Sequence, residues 1–190
     1  LEKRKEQSVN PNTHPNILAD LATDLNKKVR FGVATNTTTP IAALNILSAD
    51  LESEVRFGVA NNESATSTLL HKLAADSNED VRQAAAKNPN ASPETLTVLA
   101  NDRVNTVRVG TADNPKTLPV DLTKLAEDAD EYVRQRVASN QTAPPLALKQ
   151  LADDIDVTVR YNVAANPSAS AADLEKLAND LHSDVRWAVA

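Results

Sequence analysis

A chain of 190 residues with 41% apolar but only 3% aromatic residues must build its core from Leu, Val, Ile and Ala rather than from large rings. Its formal charge of -6 argues against a surface that neutralises nucleic-acid phosphates as a whole. The absence of cysteine excludes disulfides, thiolate metal sites, iron–sulfur clusters and thiol nucleophiles. No window approaches the roughly 18 uninterrupted apolar residues of a membrane helix, and residues 1–7 lack the apolar core of a signal peptide. There is no methionine, which points to a segment of a longer protein.

Taken in chain order, the first feature is a polar version of everything that follows. Lys3, Arg4, Gln7, Ser8 and Asn10 occupy slots that hold Val, Arg, Val, Ala and Asn further on. A first layer with no neighbour needs such a polar outer face, so residues 1–14 are read as an N-terminal capping half-repeat.

From residue 15 the chain repeats without insertion or deletion, giving seven tandem units over 15–190. Val-Arg recurs at Val29-Arg30, Val55-Arg56, Val81-Arg82, Val107-Arg108, Val133-Arg134, Val159-Arg160 and Val185-Arg186, every 26 residues. Leu18 and Leu21, repeated through Leu174 and Leu177, form an i, i+3 apolar face that predicts a first helix, A. Val29 and Val33, with Ala34 beside them, predict a second helix, B, on i, i+4 spacing. B is expected to stop at Asn36 and its equivalents, often followed by proline as in Asn88-Pro89. Ser92-Pro93-Glu94 reads as a helix start, with a capping serine, proline in the first turn and an acid at the positive end. Helices this short do not persist alone in water, so stacking must hold them. At the far end Trp187, Val189 and Ala190 keep the repeat pattern and the sequence stops inside helix B. That end is read as uncapped, through truncation or through packing on a second copy.

The unit with consensus VAxNPxxSPxxLxxLAxDxxxxVR, as in Val163-Ala164-Ala165-Asn166-Pro167 followed by Leu174, Leu177-Ala178 and Asp180, resembles the leucine-rich repeat variant family. The resemblance implies an all-α, right-handed α-solenoid or superhelix of 26-residue two-helix repeats, pairing an α-helix with a short α or 3₁₀ helix, without β-sheet. Some members of that family carry a cysteine-rich iron–sulfur segment, which no residue here can supply. The Asp-to-Val-Arg spacing is also similar to that of HEAT-type repeats, which bind mostly proteins and sometimes nucleic acids.

Two sets of columns bear on function. Asp24, Asp50, Asp76, Asp102, Asp128, Asp154 and Asp180 each lie six residues before Arg30, Arg56, Arg82, Arg108, Arg134, Arg160 and Arg186. Acid and base without exception are read as an interlayer ladder, in which Asp caps helix B and accepts from Arg. The recurring Asn is read as bonding loop backbone. Immediately after each arginine lies the variable column Phe31, Phe57, Gln83, Val109, Gln135, Tyr161 and Trp187, about 200° around the helix from the core valine. This column is the candidate binding face. Gly32, Gly58 and Gly110 share the next column and suggest a crowded helix approach.

His14, His71 and His182 fall in three different columns, the acids around 127–131 and 153–156 lack a calcium-loop glycine, and no phosphate loop or catalytic triad occurs. No enzyme, metal or cofactor is therefore expected. The leading expectation is a scaffold for a protein or peptide partner, with no membrane role. The alternatives are nucleic-acid binding through an exposed arginine column, and a spacer or dimerisation module that self-associates at its C-terminal end.

Overall fold

The computed structural model describes residues 1–190, and all fifteen regular elements are α-helices. The chain opens with α1 (Glu2–Val9). The A helices are α2 (Pro15–Leu21), α4 (Ile41–Leu47), α6 (Ser67–Leu73), α8 (Pro93–Leu99), α10 (Pro119–Leu125), α12 (Pro145–Leu151) and α14 (Ala171–Leu177). The B helices are α3 (Lys27–Thr35), α5 (Ser53–Asn61), α7 (Glu79–Lys87), α9 (Asn105–Asp113), α11 (Glu131–Ser139), α13 (Val157–Ala165) and α15 (Ser183–Val189). Both helices of each repeat are α, so of the two forms expected for the shorter helix the chain adopts the short α form.

Local chemistry sets these boundaries. Proline at the first turn opens α2, α10 and α12, where its missing N–H costs nothing. In α14, Ser170 and Asp173 form a reciprocal capping box, and at α8 the Thr95 N–H donates to Ser92 Oγ at 3.3 Å. Each B helix from α3 to α13 stops when an asparagine turns the backbone extended, as at Asn62 with φ -71 and ψ 125.

The chain forms two compact units, Leu1–Thr95 and Leu96–Ala190. Within each, Leu and Val columns interlock between layers. Leu18, Leu44, Leu70 and Val29, Val55, Val81 in the first unit, and Leu96, Leu122, Leu148 and Val107, Val133, Val159 in the second, are all fully buried. Each such leucine contributes roughly 1.5 to 3 kcal/mol by leaving water, so stacking supplies the stability that helices of seven and nine residues lack. Successive B helices pack closely on one another, whereas A helices meet their equivalents sparsely. The B row is the close-packed side of each unit.

Close packing explains the glycine column. A Cβ on Gly32 would come within 2.1 Å of Ser8 Oγ and 2.9 Å of Ser8 Cβ, and one on Gly58 within 3.0 Å of Ala34 Cβ. Here glycine serves the approach of α1 to α3 and of α3 to α5, since no residue has a positive φ. Where the column holds Arg136, the side chain lies half exposed and meets Asp113 at 3.7 Å.

Candidate interaction surface

The invariant polar residues are held between layers. Arg56 donates from Nε to Asp76 Oδ2 at 2.6 Å and from Nη2 to Asp76 Oδ1 at 2.8 Å, while Nη1 donates to the Asp50 carbonyl at 2.7 Å. Arg30 to Asp50, Arg108 to Asp128, Arg134 to Asp154 and Arg160 to Asp180 repeat this two-pronged geometry, with arginine side chains 14–18% exposed and aspartates 7–8%. Arg4 of α1 meets Asp24 through an Nε–Oδ2 ion pair at 3.0 Å, though its side chain is half exposed.

Each of the five two-pronged arginines therefore clamps the carboxylate of the following repeat and the carbonyl of its own. The expectation that Asp caps helix B is corrected. Asp50 Oδ1 accepts from the N–H of Glu52, the residue that itself occupies the cap position. The carboxylate closes a turn two residues long and leaves helix capping to Asn26, Asn78, Asp130, Asp156 and His182.

Burial pushes the Asp50, Asp76 and Asp128 carboxyls up, but the guanidinium fork and the backbone N–H outweigh it and hold all three below the usual aspartate range. At Asp180 the Arg160 fork is the largest influence, and that carboxyl is also lowered. A folded pKa below the unfolded value of about 3.9 adds stability above that value and loses it as pH falls through the folded pKa. Unfolding free energy from urea titration should therefore hold level from about pH 7 to pH 5 and fall steadily below about pH 4. A level profile down to pH 3 would contradict the carboxylate ladder.

The asparagines tie layers together by a second route. Asn62 is 2% exposed; its Nδ2 donates to the carbonyls of Ala34 at 2.8 Å and Asn36 at 3.0 Å, and its Oδ1 accepts from the Ser64 N–H at 2.8 Å. Asn36, Asn88, Asn140 and Asn166 make the same pair of bonds to the preceding layer. No buried side-chain nitrogen or oxygen is left without a partner. With its guanidinium groups engaged in this way, the arginine column offers no free row of cations for a nucleic-acid backbone.

The variable column lies on the outer surface of the B helices. Phe31, Gln83, Val109, Gln135 and Tyr161 are half-buried, Phe57 is 36% exposed and Trp187 73%. Between consecutive B helices the surface dips into shallow grooves. One, of about 380 Å³, is lined by Ser53, Glu54, Phe57, Asn78, Asp80 and Gln83. Another, of about 410 Å³, is lined by Val157, Thr158, Tyr161, His182, Asp184 and Trp187. Every residue of the second lies 104 positions, or four repeats, after its counterpart in the first. The groove is thus a property of the repeat, and only its side chains change.

Two of the histidines serve the backbone, His14 and His182 each accepting an N–H at 3.3 Å at a helix start, while His71 Nδ1 lies 3.2 Å from the Thr95 hydroxyl. A second apolar feature went unread in the sequence. Leu25, Leu51, Ile155 and Leu181, each directly after the ladder aspartate, are 93–100% exposed. Their column also holds Ser77, Arg103 and Ala129, so no regular apolar signal marks it. The only clue was aliphatic residues in a turn too tight to fold them inward.

Residues 79–104, one full period, match the family model for the leucine-rich repeat variant. Among solved structures the chain is similar to one titled a leucine-rich repeat variant with a novel repetitive protein structural motif. The two share 28% identity and a TM-score of 0.70, covering 94% of this chain and 72% of that one. A designed armadillo repeat protein in complex with a (KR)4 peptide is more distant, at 17% identity and a TM-score of 0.41 over 100% of this chain and 96% of that one. No curated protein matches the chain.

Proposed function

We propose that the chain, whose helical repeats are similar to the leucine-rich repeat variant, is a non-enzymatic scaffold that binds a protein or peptide along its B-helix face. The observation that carries this reading is the recurrence of one groove from the same six columns in both units, at Phe57 and again at Tyr161 and Trp187. Framework columns keep their identity because stacking demands it. The groove columns vary and keep rings that pack only partly against the core and leave an edge exposed, as anchors at binding surfaces do.

A catalytic site needs one convergent, asymmetric set of groups, whereas the polar groups here repeat by layer and are spent on their neighbours. A random peptide library displayed on phage and selected against the chain supplies the test. Binding of the selected peptides should weaken at least about tenfold in the Phe57→Ser/Tyr161→Ser double variant, the loss of about 1.4 kcal/mol expected from removing anchoring rings. Circular dichroism should show the variant folded at the assay temperature, with a lowered melting point from the buried part of each ring. Unchanged affinity in a folded double variant would sink the proposal.

A further inference from the structure

We propose that the segment received by the B-helix face is cationic, presenting arginine or lysine side chains to the grooves. This rests on the binding role assigned to that face above. In the first groove Glu54 and Asp80 flank Phe57, and in the second Asp184 flanks Tyr161 and Trp187. A ring and a carboxylate lining the same groove suit a guanidinium or ammonium, which the ring attracts through its quadrupole and the carboxylate through charge-assisted hydrogen bonds.

The surrounding charge has the same sign. At the cap and first two positions of the B helices the first unit carries Glu52, Glu54, Glu79 and Asp80 against Lys27 and Lys28. Lys27 already lies 3.5 Å from both Glu52 and Glu54. The second unit carries Asp130, Glu131, Asp156 and Asp184 at those positions with no lysine or arginine. The ladder arginines offset these acids only in part: Arg30 attracts Glu52 and Arg134 attracts Asp156 and Glu131, but each guanidinium fork is already committed to a ladder aspartate. Acids in a first helical turn also favour the helix itself. That role accounts for carboxylates but not for rings set between them. An acidic segment would meet like charge throughout, and a neutral apolar one would give the acidic side chains lining the grooves no counter-charge beyond Lys27 and His182.

Spacing suggests the form of such a segment. Packed helices lie about 8 to 10 Å apart, and a polyproline II chain returns to the same face every three residues, about 9 Å along its axis. A cation at every third residue would therefore meet successive grooves within a unit.

Three fluorescein-labelled 15-residue probes test this by anisotropy: repeats of Arg-Ser-Pro, of Glu-Ser-Pro and of Leu-Ser-Pro. The arginine probe should bind most tightly and shift the emission of Trp187, the only tryptophan. Its affinity should fall at least about tenfold in the Phe57→Ser/Tyr161→Ser variant and by a similar factor in the Glu54→Gln/Asp80→Asn/Asp184→Asn variant, with circular dichroism confirming the fold. The cationic reading fails alone if the leucine probe binds as well as the arginine probe and loses affinity only in the ring variant. It also fails if arginine-probe binding ignores both variants, which marks diffuse attraction to an acidic protein. If no probe binds, or none responds to the ring substitutions, the cationic segment and the B-face role fall together.

Discussion

Replacing Arg108 by alanine is expected to destabilise the protein by about 3 to 5 kcal/mol, because it strands a mostly buried carboxylate instead of removing a surface charge. Arg108 gives Asp128 two bonds, at 2.6 and 2.8 Å, and its own turn a third, to the Asp102 carbonyl at 2.9 Å. Without them Asp128 keeps only the Asp130 N–H at 3.0 Å, in a site where its side chain is 8% exposed. Arg108→Lys should recover part of the loss, since an ammonium supplies charge but cannot span both carboxylate oxygens and the carbonyl. Replacing both partners by alanine should cost less than the sum of the single replacements, because no unpaired charge remains. Urea unfolding followed by circular dichroism measures all of these, and a cost below about 1 kcal/mol for Arg108→Ala would contradict the clamp.

The Asn62→Asp substitution, nearly isosteric, should cost at least about 3 kcal/mol at neutral pH. The parent amide donates to two carbonyls; the variant would aim a carboxylate oxygen at them in a site that is 2% exposed. Its pH dependence separates this cause from a general packing defect. Burial and repulsion raise the folded pKa of the introduced acid above the unfolded value, so the penalty is largest at high pH and shrinks as pH falls through the raised pKa. Relative to the parent, the variant should gain stability between about pH 7 and pH 5, where the parent is level. A deficit independent of pH would show that the amide is not a donor between layers.

These two sites also mark how far the sequence could be read. The period, the helix pair, the Leu and Val core and the framework status of Asp, Arg and Asn follow from columns in register, because burial at a fixed layer spacing leaves a periodic trace. The pairing within the framework does not. Asp50 to Arg56 at six residues and Arg30 to Asp50 at twenty satisfy the same pattern, and only the stacking of one layer on the next decides that the carboxylate goes to the preceding repeat's arginine. The same limit hid the second role of Asn62, whose acceptors lie in another layer. The Asp50 cap was misplaced by two residues because a carboxylate that closes a turn and one that caps a helix have the same local composition.

On the candidate surface, the sequence located the column from Phe31 to Trp187 by its variation and helical angle. It could not show that grooves open between consecutive B helices, which depends on how closely neighbouring layers approach. Nor did it mark Leu25, Leu51, Ile155 and Leu181, whose exposure is set by the direction of the turn.

Those four aliphatic residues are the natural rival to the B-helix face, and mapping a bound peptide between the two surfaces tests the central claim most directly. Backbone amide shifts of the isotope-labelled chain, recorded with a library-selected peptide, should change at residues 53–57 and 78–83 or at 157–161 and 182–187. Shifts confined to the turns around Leu25, Leu51, Ile155 and Leu181, with the groove residues unmoved, would contradict it.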